Sequence, residues 1–394
     1  MIYKKYFFIL VVSAAVLFNF LSCSKFRVKD VQFMVRADIG KYLFSISRDP
    51  DSTLASILNN VSSKINYDKD DYIDLLNKEL DSNKIFARKY FGSLMSSMVM
   101  DAYGEDIKIT KGLKDSIDRL VKSDIEVVKK RVETFGVKNY NVSQEGKYDI
   151  KITASTEGNI DELKQLLLIK GNLEFKLEFE QTDAMNVMMR IDSVLSGNAR
   201  LQYRIVDEQD TSHFKELHPW FYLVNFYEYQ EGSITFTSKE SVKEDVENIL
   251  MRQEIKNVIP ENVCLSWDHN AGIVGKNKEN IYKIYVLKKQ PELTGSVITH
   301  TVCEIDEATN APIVAIEMNK EGADRWAKIT EENVNKRVAI VLDDKVVSCP
   351  IIRSKITGGK TEIALLSSWS EANEIAVAIK AGVLPMPLVL VSQH

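Results

Sequence analysis

The stretches VAIEMNKEGADRWAKITEENVNKRVAIVLDDKVVSCPIIRSKITGG, Val314 to Gly359, and AGVLPMPL, Ala381 to Leu388, decide how this chain is read. Pro312 to Met318 is an apolar run of strand length, and Asn319 can cap a helix that continues to about Asn335. Val338 to Leu342 and Lys345 to Ser348 then form a hairpin across Asp343-Asp344, a pair suited to a two-residue turn without any cation. Gly358-Gly359 fits a turn with positive φ; no Lys-Ser/Thr pair follows to make a phosphate cradle. Ser370 can cap a last helix with the apolar face Ala372, Ile375, Ala376 and Ile379, closed by Gly382 and Pro385. The result is a small α+β unit over residues 290–391.

Working upstream, a stripe at steps of three and four from Ile117 to Phe135 predicts a helix that Gly136 ends. Asn139 to Ser143 and Tyr148 to Ala154 read as a hairpin around Glu145-Gly146. Asn159 caps a helix with Glu162 three residues on, Gly171 stops it, and Leu173 to Phe179 alternates as a strand. This α-β-β-α-β order lacks one strand of a ferredoxin-like sandwich, and Val28 to Val35 is the upstream run that can supply it. Residues 26–180 are then a ferredoxin-like base, with a mainly helical insertion at about 37–112 in its first crossover. Residues 181–289 carry helical and strand signals but no recognisable motif.

The first-quoted stretches, together with what surrounds them, resemble the first periplasmic domain of the SecD/SecDF family, accessory subunits of the bacterial protein translocase. The resemblance rests on Asn319, Gly322-Ala323, Thr330, Asn333, Leu342-Asp343, Ser348 and Pro350, Ile356 with Gly358-Gly359, and Ala381-Gly382 with Leu384-Pro385. It covers residues 290–388 well and 28–180 loosely. The Gly-Leu-Asp-Leu-x-Gly-Gly that usually precedes the first strand in that family is replaced here by Lys25-Phe26-Arg27-Val28-Lys29-Asp30. Family members continue past the Leu-Pro into five more membrane helices with the proton pathway, whereas this chain stops at His394.

Tyr6 to Leu21 is one apolar run behind Lys4 and Lys5, the make-up of a signal peptide or a short membrane anchor. Phe20-Leu21-Ser22-Cys23 also resembles a lipoprotein processing site, so residues 1–25 are either a span or a lipidation signal at Cys23. The body is therefore expected in the periplasm, anchored at the inner membrane. At 394 residues, 45% hydrophobic and a net charge of −5 without basic stripes, the chain can bury several cores and is not expected to bind nucleic acid.

His213, His218, His269, His300 and His394 are scattered and read as surface residues, so no metal is expected. Cys264, Cys303 and Cys349 are too widely spaced for a metal or redox motif and read as buried free thiols, with one disulfide left open. No Gly-x-Ser-x-Gly occurs, and Cys349 takes the place of a small buried residue, so no catalytic residue and no cofactor is expected. The quoted glycines and small residues read as packing and turn elements.

By resemblance the chain is an accessory subunit of the Sec translocase that binds unfolded secretory polypeptide and assists its export, with SecF and the SecYEG channel as partners and without its own proton-conducting part. Such a site should be shallow and partly apolar, on an exposed groove or sheet edge. Two other readings remain at this point: a stand-alone extracytoplasmic lipoprotein with another partner, and a periplasmic hydrolase using the segment without motifs.

Overall fold

β1 (Lys29–Ala37) sends Val31, Phe33, Val35 and Ala37 inward, and this alternation places one face of its sheet against a core. The computed structural model describes residues 28–92, 102–197, 211–229, 233–274, 278–364 and 366–394; the run Tyr6 to Leu21 and Cys23 lie outside them.

After β1 come α1 (Ile39–Ile46), α2 (Ser52–Lys64), α3 (Tyr72–Ser82) and the short α4 (Arg88–Phe91). Asp51 and Asp71 start α2 and α3 by accepting hydrogen bonds from Leu54 N and from Ile73 and Asp74 N. The long α5 (Ala102–Thr134) follows, then the hairpin β2 (Asn139–Glu145) and β3 (Asp149–Thr156), α6 (Ile160–Leu168) and β4 (Leu173–Leu177). Tyr148 ties the helical insertion to the sheet, its hydroxyl accepting from Tyr72 N at 3.0 Å.

The middle of the chain supplies α7 (Gln181–Ser196), α8 (Thr211–Leu217), α9 (Pro219–Leu223), β5 (Val224–Tyr229), β6 (Ser233–Lys239), α10 (Lys243–Leu250), α11 (Gln253–Lys256), β7 (Val263–Asp268), β8 (Gly272–Val274) and β9 (Glu279–Lys288). The last part runs β10 (Leu293–Thr294), β11 (Ile298–Ile305), β12 (Pro312–Met318), α12 (Lys320–Glu332), β13 (Val338–Leu342), β14 (Lys345–Ser348), β15 (Lys360–Ile363), α13 (Trp369–Ala381) and β16 (Leu388–Gln393).

Among the described residues the strands form three sheets. The first has order β16-β1-β3-β2, the ferredoxin-like order when α5 and α6 are its two crossover helices. Here the structure corrects the sequence reading. Leu173–Leu177 does not close this sheet but lies between β10 and β13 in a nine-stranded sheet, and β16 takes the fourth place. The whole segment from β4 to α13 is thus inserted between α6 and the last base strand. Residues 181–289 join the same nine-stranded sheet, because β7 pairs in parallel with β14.

The third sheet, β11-β12-β15, has one face on α13. Val314, Ile316 and Ile363 pack there with Ala372, Ile375 and Ala376, and Thr301 donates its hydroxyl to Ala376 O at 2.8 Å. Burial of this many aliphatic side chains, at roughly 1.5–3 kcal/mol each, is what holds the small sheet on its helix. The cap of α13 is Ser368, which accepts from Glu371 N, and not Ser370 as the sequence suggested. Trp369 occupies the first helical position and Ser370 falls one residue inside. α12 likewise stops at Glu332, a turn short of the expectation, with Asn333 as its cap.

Candidate functional site

The motif residues converge on contacts inside the fold. Asn319 caps α12 by accepting from Gly322 N at 2.8 Å. A Cβ on Gly322 would stand 2.7 Å from Val297 Cβ, so a larger residue cannot let α12 approach the strand region as closely. Gly359 has φ +66 and packs on Ala323. Gly358, with φ +83, completes the same turn. Thr330, fully buried, donates to Trp326 O at 2.8 Å and accepts from Ile356 N at 2.9 Å, pinning the segment before the Gly-Gly to α12. Asn333 donates to Ile329 O at the helix end. Leu342 and Ser348 are buried in β13 and β14, and Pro350 O accepts from Val338 N.

Asp343 and Asp344 have φ +51 and +66, the left-handed pair of a type I′ turn. Asp343 does more than turn the chain. Its carboxylate accepts from the backbone N–H groups of Lys170, Gly171 and Asn172 at 2.7, 3.1 and 2.8 Å. The same 166–171 segment is held from its other side by Arg131 of α5, which donates to the carbonyls of Leu166, Ile169 and Lys170 and to Gly382 O. Leu384 N donates to Lys170 O at 2.8 Å, and Asp124 accepts from Met386 N at 3.2 Å. Ala381 and Leu384 are buried here, and Pro385 is half-buried. The joint between the base and the rest is therefore made by two buried ionisable side chains on α5 and one turn carboxylate. Burial pushes the Asp124 carboxyl up to about 7 and the Arg131 guanidinium down to about 10, each moderated by charges of the opposite sign.

Asp124 and Arg131 fall at steps of three and four within the apolar stripe of α5, among Val121, Val128 and Phe135, so their burial is legible in the spacing, whereas the groups they hold come from distant segments. His218 differs from expectation. It is 2% exposed, with Nδ1 hydrogen-bonded to Asp192 at 2.8 Å, and Asp192 also accepts from Trp220 N. This pair fastens the α9 corner to α7 inside the apolar cluster of Phe221, Trp220 and Met188, with no open surface for a substrate. Cys264, Cys303 and Cys349 are free thiols, half-buried rather than fully buried. Burial, then the neighbouring Glu178, push the Cys349 thiol well up and disfavour the thiolate a nucleophile needs.

The outer face of the three-stranded sheet is where exposed chemistry gathers. Register sets its side chains in rows across the strands: His300, Glu317 and Lys360; then Val302, Ala315 and Glu362; then Glu304 and Ile313. The rows line a shallow concavity of about 550 Å³. Val302 is 37% exposed at its centre. Glu317 and Lys360 pair at 2.9 Å, which lowers the carboxyl and raises the ammonium. β11 has a strand neighbour only on its β12 side among the described residues, so its other edge can accept hydrogen bonds from an added strand. No group of His, Cys, Asp or Glu among the described residues is arranged to hold a metal.

Residues 273–386 match the family model for the SecDF P1 head subdomain. The protein translocase subunit SecD of Rhodothermus marinus is 24% identical over 368 residues, which are 89% of this chain and 58% of that protein. The SecD of Calditerrivibrio nitroreducens is 38% identical over 144 residues, 36% of this chain and 28% of that protein. The chain thus spans little more than half of one relative and under a third of the other. A solved SecDF structure, of a membrane component that enhances protein export, aligns with 70% of this chain and 92% of its own at 22% identity and a TM-score of 0.38.

Proposed function

The chain is a relative of the SecD/SecDF family over the periplasmic part of those proteins, and from that premise we propose that it assists protein export by holding emerging, unfolded polypeptide on the outer face of the β11-β12-β15 sheet. The observation that carries this reading is the face itself. It combines an apolar centre, exposed at Val302 and half-buried at Ala315, with a free strand edge, inside the region that matches the head subdomain. Main-chain hydrogen bonds along an edge recognise any extended chain, and a shallow apolar patch adds contact without demanding one sequence. Weak, exchangeable binding follows, as a carrier of many different polypeptides requires.

By the same premise the partners are SecF and the SecYEG channel, and the body faces the periplasm with the N-terminus at the membrane. No described helix is long and apolar enough to cross a bilayer. Proton-driven work would reside outside residues 28–394. Tyr6 to Leu21 would hold the chain as a span or, through Cys23, as a lipoprotein, and labelling with palmitate separates the two.

The direct test is capture of a permanently unfolded protein, such as reduced and carboxymethylated lactalbumin, by the full chain in detergent. Binding that weakens in Val302→Asn at an unchanged melting temperature supports the reading; undiminished binding rejects this face.

A further inference from the structure

We propose that the β11 edge selects extended segments in which Lys or Arg lies two positions from an apolar residue. The proposal rests on the reading of this face as a polypeptide-holding surface and specifies its substrate class.

The charge around the apolar centre is one-sided. Of the ionisable residues that line the concavity, Glu317 and Lys360 neutralise one another at 2.9 Å. Glu304 and Glu362 remain, both exposed, and neither has an ion-pair partner among the described residues. The turn beyond β11 adds Glu307, exposed, and Asp306, whose carboxylate is occupied by Ala308 N and Thr309 N. The surface facing an incoming chain is therefore apolar with excess negative charge.

Register converts this into a pattern. Along β11 the outward side chains are His300, Val302 and Glu304, because their partners on β12 are Glu317, Ala315 and Ile313 on the same face. A strand added at the open edge places every second side chain on that face, opposite these three, with Cβ atoms about 4.5–5.5 Å apart across a directly opposed pair. An apolar side chain opposite Val302 extends the patch. The side chain two residues along then meets Glu304, where Lys or Arg is attracted and Asp or Glu repelled. Glu362, on the far strand, contributes to the field but is beyond direct pairing with an edge strand.

The test uses the full chain in detergent and short fluorescent peptides in which Val and Lys alternate behind Ser spacers, with Gln or Glu in place of Lys as comparisons. Fluorescence anisotropy is expected to show the Lys peptide bound roughly threefold more tightly than the Gln peptide and about tenfold more tightly than the Glu peptide at low ionic strength. The preference should collapse in Glu304→Gln and at about 0.5 M salt, where the screening length falls to a few ångströms. If all three peptides bind alike and all weaken in Val302→Asn, charge selection is overturned while the holding face stands. If no peptide responds to Val302→Asn, both fall. A Lys preference unchanged in Glu304→Gln overturns the assignment to that carboxylate.

Discussion

Gly359 lies against Ala323: a Cβ built on the glycine would stand 2.6 Å from the Ala323 Cβ and 3.1 Å from its Cα. Two motif elements separated in sequence are thus one contact, between the turn before β15 and the first turn of α12.

Gly359→Val is expected to destabilise the fold by roughly 3–5 kcal/mol, the sum of a side chain forced to positive φ and an overlap with backbone that cannot yield. Gly358→Ala, where nothing lies within 4 Å of the added carbon, retains the φ cost alone and should lose about 1–2 kcal/mol. Urea denaturation of both variants measures the gap. Equal losses would show that the Ala323 contact is not close.

Asp343→Asn should cost about 2–3 kcal/mol, because one carboxylate oxygen facing backbone N–H groups becomes an NH₂ group. Asn tolerates the left-handed backbone as well as Asp does, so the turn itself stays intact. Amide exchange at Lys170, Gly171 and Asn172 should accelerate while β13 and β14 remain protected. Uniform acceleration would instead mean that the hairpin had been lost.

Asp124 sets a pH dependence. Its folded pKa of about 7 lies above the ordinary aspartate value, so the folded state binds the extra proton. The favourable contribution is complete below about pH 4 and is lost as pH rises through 7, amounting to on the order of 4 kcal/mol. Asp124→Asn keeps an acceptor for Met386 N without the charge, so it should gain stability over the native chain at pH 8, lose most of that gain by pH 5 and the rest below pH 4. A difference independent of pH would assign the proton elsewhere.

Much of the fold is legible in local sequence. The Asn319 cap, the Asp343-Asp344 turn and the Gly358-Gly359 turn each occupy the predicted conformation, because capping and positive φ depend on a few neighbouring residues. Pairing partners are not local. Leu173–Leu177 follows α6 directly and looks like the closing base strand, since consecutive elements usually neighbour one another. It is taken instead by β13 and β10, and β16, behind two prolines and short of polar alternation, fills the vacant edge. The outer sheet face shows the same limit. Val302, Ala315 and Glu362 are unremarkable along the chain and form a row only through the register of β11, β12 and β15. Arg131 and Asp192 stand on the apolar faces of their helices, which marks them as buried but not what they hold, because the carbonyls and N–H groups they satisfy come from distant segments.

The most direct measurement places a photo-crosslinking amino acid at Val302 in membranes that are exporting a stalled secretory precursor, with Lys328 on the exposed side of α12 as the comparison position. Precursor adducts at Val302, and few or none at Lys328, are the expected result. Equal labelling at the two positions, or none at Val302 while the precursor is captured elsewhere in the same membranes, would contradict a polypeptide-holding face on the β11-β12-β15 sheet.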